Sequence, residues 1–190
     1  GAIINHVLSE GLYDEFYLKH FSNASFRIKK DFSFHEGLFS GYDSDKKIYD
    51  KSSWGYAVLE DGKPAKASDL NEPDTVFSYL KKHYARYDFE TSSKITGIPI
   101  AKLKKIADVF ATNSPGTVMY ALGLTQHTTG VQNIRSLVVM QLLLGNIGVS
   151  GGGINALRGH SNVQGSTDMC LLFHILPGYL ASPTHKQPTI

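Results

Sequence analysis

Thr117-Val118-Met119-Tyr120-Ala121-Leu122, running into Gly123-Leu124-Thr125-Gln126-His127-Thr128-Thr129-Gly130, is the stretch that decides the fold. Residues 117–122 are short, mostly nonpolar and bounded by glycines, which is the pattern of a strand. A strongly apolar helix is predicted after the polar loop, ending near Leu144. Upstream, Asn113-Ser114-Pro115-Gly116 breaks the chain, and before it Ile100, Leu103, Ile106, Ala107 and Phe110 recur at helical spacing behind Pro99. Helix, strand, glycine-bearing loop and helix form an α/β order. Residues 117–122 are therefore expected as a buried parallel strand, because both they and the following helix are apolar.

Further out, residues 2–21 read as two short helices. Ala2, Ile3, Val7 and Leu8 share one face, and Phe16, Tyr17, Leu18 and Phe21 follow the break at Gly11. From Asn23 to about Pro64 the periodicity disappears, with turn signals at Ser40-Gly41, Asp61-Gly62 and Lys63-Pro64. That stretch holds the only tryptophan, Trp54, among other aromatics, so an ordered excursion is expected rather than a disordered linker. A helix is predicted over residues 74–87, with Phe77, Leu80, Tyr84 and Tyr87 on one face and Pro73 near its first turn. The tail from Pro183 reads as extended.

Composition narrows the function. The chain has 190 residues, 42% hydrophobic and 19% charged, as ordinary folded domains do. A net charge of +2 is too small to suggest nucleic acid, and Lys29-Lys30 and Lys104-Lys105 are isolated pairs, so no nucleic-acid partner is expected. One cysteine, Cys170, excludes an internal disulfide framework, a Cys-rich zinc site and the ligand set of an iron–sulfur cluster. The longest apolar run, residues 137–144, is interrupted by Gln141 and is far shorter than the ~20 residues a membrane span needs. The opening Gly1-Ala2-Ile3-Ile4 lacks Met and the basic start of a signal peptide, so a piece of something larger is expected.

Two places could carry chemistry. In open α/β sheets ligands bind beyond the carboxyl ends of strands, and the loop after Leu122 is so placed. There Gly123 permits close approach to the backbone, Thr125, Gln126 and His127 supply hydrogen-bonding groups, and the helix start near Gly130 offers N–H groups to a phosphate. A capped polar surface loop is the alternative. Neither GxGxxG nor Walker A spacing is present, which disfavours an ordinary dinucleotide fold or NTPase. The second place is Gly151-Gly152-Gly153-Ile154-Asn155-Ala156-Leu157-Arg158-Gly159-His160-Ser161-Asn162-Val163-Gln164-Gly165. A guanidinium holds a carboxylate or phosphate through a bidentate fork, and an imidazole can move a proton. Arg158 and His160 amid clustered amides therefore suggest a ligand site, against a solvated glycine-rich loop. Cys170 is expected as a buried thiol in an apolar helical run with His174 beside it. His6, His20, His35, His83 and His185 receive no role.

Taken together, residues 120–127, 141–148, 151–153 and 155–165, with Ile95-Thr96-Gly97-Ile98-Pro99 leading into a helix, resemble the molybdopterin oxidoreductase superfamily. Within it the chain is most similar to the catalytic subunit of respiratory formate dehydrogenases. That likeness is carried by residues 158–165, by Leu176-Pro177-Gly178-Tyr179, by Gly37-Leu38-Phe39-Ser40-Gly41-Tyr42-Asp43 and by Tyr49-Asp50-Lys51-Ser52-Ser53-Trp54. The resemblance implies three parts: a helical start over 1–22, a family-specific insertion over 23–73, and an α/β cofactor-binding portion over 74–190.

It also implies oxidation of formate to carbon dioxide on a bis-(molybdopterin guanine dinucleotide) cofactor with molybdenum or tungsten. Arg158 would orient formate, with His160 beside it. Gly123, Thr125, Gln126, His127, Gly159, Asn162 and Gln164 would line the cofactor. The family's metal ligand, a selenocysteine or cysteine followed by histidine, is missing, as are the cysteines of its 4Fe-4S cluster, so this piece alone is expected to be inactive. The implied partners are formate, the remainder of the large subunit, an iron–sulfur electron-transfer subunit and a membrane cytochrome subunit. The implied location is periplasmic, with membrane attachment through those subunits. Another molybdenum enzyme such as a nitrate reductase, or a non-catalytic pterin-nucleotide binding module, are the alternatives.

Overall fold

The computed structural model describes residues 1–35, 37–171, 175–176 and 179–186. Helices α1 (Ala2–Ser9) and α2 (Glu15–Phe21) open the chain. α2 starts where Asp14 accepts the backbone N–H of Tyr17 at 2.8 Å. Buried faces differ in part from the periodicity. α1 buries Ala2, Ile4, Val7 and Leu8, but in α2 only Leu18 is buried, and Phe16 and Phe21 stand in solvent. The short α2 has one side against the core, so the remaining aromatics project outward.

The stretch from Asn23 to Pro64 is an ordered excursion over its described residues, with two small antiparallel strand pairs: β1 (Phe34–His35) with β2 (Leu38–Phe39), and β3 (Tyr42–Asp43) with β4 (Ile48–Tyr49). Trp54 ties them together. Its ring lies 5.0 Å from Phe39 and 5.1 Å from Tyr49, and its indole N–H donates to Ser40 O at 2.9 Å. Arg27 anchors the excursion by pairing with both Glu72 and Asp74, and this guanidinium holds the two carboxyls below their usual range.

The helix expected over 74–87 is shorter. α3 spans Val76–Tyr84, because Thr75, fully buried, caps it by accepting Ser78 N–H and excludes Pro73 and Asp74. α4 (Phe89–Thr96) was not anticipated from periodicity: it buries no residue and is defined by its ends, an Asp88 cap and a left-handed Gly97. α5 (Ile100–Thr112) buries Leu103 and Ala107, leaving Ile100 and Ile106 exposed.

The α/β unit follows. β5 (Thr117–Tyr120) leads into α6 (Leu122–Thr125), then α7 (Gly130–Leu143), then β6 (Gly153–Ala156). β5 and β6 pair in parallel, Thr117 opposite Gly153 and Tyr120 opposite Ala156. The parallel expectation holds, with two corrections. The strand ends at Tyr120, since Leu122 belongs to a helical turn, and it is half-buried rather than buried, with Met119 64% exposed. A two-stranded sheet covered by α7 on one side leaves its other face open. β6 falls within the glycine- and amide-rich stretch 151–165, where no strand is expected from the sequence. Its short apolar content is hidden among glycines, which close packing requires: a Cβ on Gly152 would stand 2.2 Å from Asn146 O.

Beyond β6 come α8 (Val163–Asp168) and the antiparallel pair of β7 (Ile175–Leu176) with β8 (Leu180–Ala181). Cys170 is not in a buried apolar helix. It follows α8 in a left-handed turn at φ 58, half-buried, with Met169 and Leu171 exposed on either side. His174 lies outside the described residues, as does part of the motif at 176–179. The core joins α1, α2, α3 and the carboxyl half of α7 through Ile4, Leu8, Leu18, Phe77, Met140 and Leu143, among others. Among the described residues no helix is long and apolar enough to cross a membrane.

Candidate functional site

The carboxyl ends of β5 and β6 open into a cleft of about 310 Å³, whose lining includes Tyr120, Leu122, Thr125, Leu157, Arg158 and His160. The strand pair positions these groups. Leu157 N–H donates to Tyr120 O at 2.7 Å, extending the ladder one residue past β6 and delivering Arg158 to the rim. A second hollow, of about 400 Å³, adjoins on the far side of Arg158 and is lined by Val163, Gln164, Thr167, Asp168 and Tyr179. Arg158 therefore belongs to both.

Its guanidinium donates from Nη2 to Gln164 Oε1 at 2.7 Å. Among the described residues no carboxylate lies within 4.0 Å of it, in contrast to Arg27 with its two. α8 sets the position of Gln164. Asn162 adopts the left-handed region at φ 51 and turns the chain, and Gly165 leaves room for the Asn162 side chain beneath the helix. Asn162 O then accepts Ser166 N–H at 2.9 Å.

The two sequence clusters thus meet, but only in part. Thr125, Arg158, Gly159 and His160 share the cleft. Gln164 reaches the second hollow. Gly123, Gln126 and His127 are exposed in and after α6 without lining either, and Asn162 acts locally on α8. No group of three or more His, Cys, Asp or Glu could hold a metal ion among the described residues.

One supporting cluster was missed. Gln141, fully buried, donates through Nε2 to Gly116 O at 2.8 Å and Gly153 O at 2.6 Å. Its Oε1 accepts Asn146 Nδ2 at 2.9 Å, while Asn146 Oδ1 accepts Gly116 N–H and the Ser114 hydroxyl. This amide pair clamps the amino ends of both strands and so sets the register that carries Arg158. The signal was present: a lone Gln breaking an otherwise apolar helix, followed by Asn past its end.

No protein-family model matches the chain. Formate dehydrogenase 2 subunit alpha (cytochrome c-553) of Nitratidesulfovibrio vulgaris is 49% identical over 194 aligned residues, covering 100% of this chain and 19% of the relative. The chain is homologous to formate dehydrogenase large subunits. The formate dehydrogenase subunit alpha of Megalodesulfovibrio gigas is 50% identical over 99% of the chain, again 19% of its own length. The nitrate-inducible formate dehydrogenase major subunit of Escherichia coli is 47% identical over 98% of the chain and 19% of its own length. The chain spans about a fifth of the length of these relatives, and the α/β unit described above lies within the matched stretch.

Proposed function

We propose that this chain is the segment of a formate dehydrogenase large subunit that orients formate and lines part of the redox cofactor. The observation that supports it most is Arg158: a guanidinium with no carboxylate partner among the described residues, at the carboxyl end of a parallel strand pair, in a chain homologous to formate dehydrogenases. Formate is a small anion with almost no apolar surface, so binding comes mainly from charge-assisted hydrogen bonds. A guanidinium supplies two parallel donors and stays protonated at any working pH. Oxidation converts HCOO⁻ to CO2, a proton and two electrons. The product is neutral, so the Arg158 contact weakens as the reaction proceeds and release is favoured. His160 lines the same cleft, and in this reading it holds or moves the proton.

The residues present fit a bis-(molybdopterin guanine dinucleotide) with molybdenum or tungsten. Gly123 and Gly159 have open space where a Cβ would stand, which leaves the backbone accessible to a flat ligand. Thr125, Gln126 and His127 carry the donors and acceptors that pterin edges and phosphates require, whereas Asn162 and Gln164, which the resemblance also assigns to the cofactor, are engaged with α8 and with Arg158. When bound, this cofactor supplies the two-electron acceptor. In this reading the metal ligand and a 4Fe-4S cluster come from the remainder of the large subunit. Electrons pass to an iron–sulfur subunit and a membrane cytochrome subunit, and the enzyme faces the periplasm.

The test is Arg158→Ala in the full-length enzyme. A charged hydrogen bond in a desolvated site is worth about 2–4 kcal/mol, so kcat/KM for formate falls roughly 30- to 1000-fold. Cofactor content stays unchanged. Arg158→Lys keeps the charge, loses the fork and is impaired as well. Near-normal kcat/KM with a full cofactor complement sinks the reading, and loss of cofactor makes Arg158 a phosphate anchor instead.

A further inference from the structure

The guanidinium of Arg158 ends a long, exposed side chain, yet among the described residues it has one side-chain hydrogen-bond partner, and that partner is neutral. Gln164 Oε1 accepts from Nη2 at 2.7 Å across a separation of six residues. The approach depends on the Asn162 turn, which brings α8 back against Arg158. Asp168, one helical turn beyond Gln164, lines the same hollow but makes no ion pair with Arg158. Arg27 shows the opposite design: two carboxylates pin its guanidinium, balance its charge and raise its pKa further.

An amide oxygen satisfies one N–H donor and restricts the side chain without neutralising it. A carboxylate at the same place would do both. Held on the same chain, it would act as an internal competitor at an effective concentration in the ~mM range or above, against a substrate whose whole recognition is one charge pair.

We propose that Gln164 is the positioning residue for Arg158, fixing the guanidinium through a neutral acceptor so that its charge stays available to the substrate carboxylate. This rests on the reading of Arg158 as the formate-binding group.

The experiment uses the full-length, cofactor-loaded enzyme. Gln164→Glu is isosteric and keeps the acceptor, changing only the charge. KM for formate and the inhibition constant of nitrate, a planar oxyanion used as probe, both rise roughly tenfold or more, while kcat changes less than about threefold. Metal content is unchanged, and the KM increase shrinks as salt rises. Gln164→Met, neutral and of similar length, loses the hydrogen bond but not the free charge, so its KM rises less than that of Gln164→Glu. A structural role alone ranks the two variants the other way, since Met removes the bond that Glu retains, and that ranking overturns the proposal. Loss of metal from Gln164→Glu also overturns it by assigning Gln164 to the cofactor surface. Arg158→Ala, measured in parallel, separates the two ideas. If it is impaired while Gln164→Glu is near normal, only the positioning role falls; if Arg158→Ala is itself near normal, the formate reading of Arg158 falls and takes this one with it.

Discussion

In the helical half of the molecule, α1, α3 and the carboxyl end of α7 close around Val7, Leu8, Phe77 and Leu143, each at most 1% exposed. In the strand pair, Met119 is 64% exposed, and Leu122 and Leu157 just past the strand ends are 52% and 53% exposed. One helix serves both regions. The carboxyl half of α7 fills the core, and its Gln141 holds the strands. The helical half is therefore ordered by apolar burial, which is indifferent to direction. The strand pair is ordered by directed hydrogen bonds, which fix register while leaving the surface open. The second arrangement leaves the cleft at the carboxyl ends of the strands open to solvent.

The comparison can be broken most directly at Phe77. Its ring packs against Tyr13 at 4.8 Å and is 1% exposed. Phe77→Ala is expected to cost about 3–5 kcal/mol in urea denaturation of the 190-residue chain. A loss below about 1 kcal/mol would move the centre of stability out of the helices.

Gln141→Leu comes next. It preserves apolar volume but strands two carbonyls and the Asn146 amide in a buried setting, a loss of about 2–3 kcal/mol. Amide hydrogen exchange sharpens the point, because β5 and β6 should exchange faster while α1 does not. Equal acceleration in both would show that the two regions open as one unit.

The smallest effect is expected at Met119. Met119→Thr should change stability by less than about 0.5 kcal/mol, since the side chain stands mostly in solvent. A large loss in the same denaturation experiment would mean that this strand face is covered after all.

Much of this was legible in the residues. The apolar run of 117–122, the glycine-bearing segment after it and the helix to about residue 144 imposed the α/β order, because short apolar strands and long apolar helices have few other uses, though the strand stops at Tyr120. The two glycine- and amide-rich clusters were visible as composition. That Thr125 and Arg158 would share one cleft was not visible, since it follows from pairing across 36 positions, Thr117 with Gly153. β6 was hidden because four residues among glycines carry too little periodicity to separate strand from loop. α4 escaped for the opposite reason, as its only local signals are its two caps.

By itself, then, the sequence determined which segments could be helix or strand and which side chains carried usable chemistry, because backbone propensity, spacing and functional groups are local properties. Only the tertiary structure decided that Gln141 and Asn146 would clamp the strands, that Gln164 rather than Asp168 would hold Arg158, and that the strand face would stay open. Each of these depends on distances between residues remote in sequence, set by how α7 packs and how the Asn162 turn returns α8 to the strand ends.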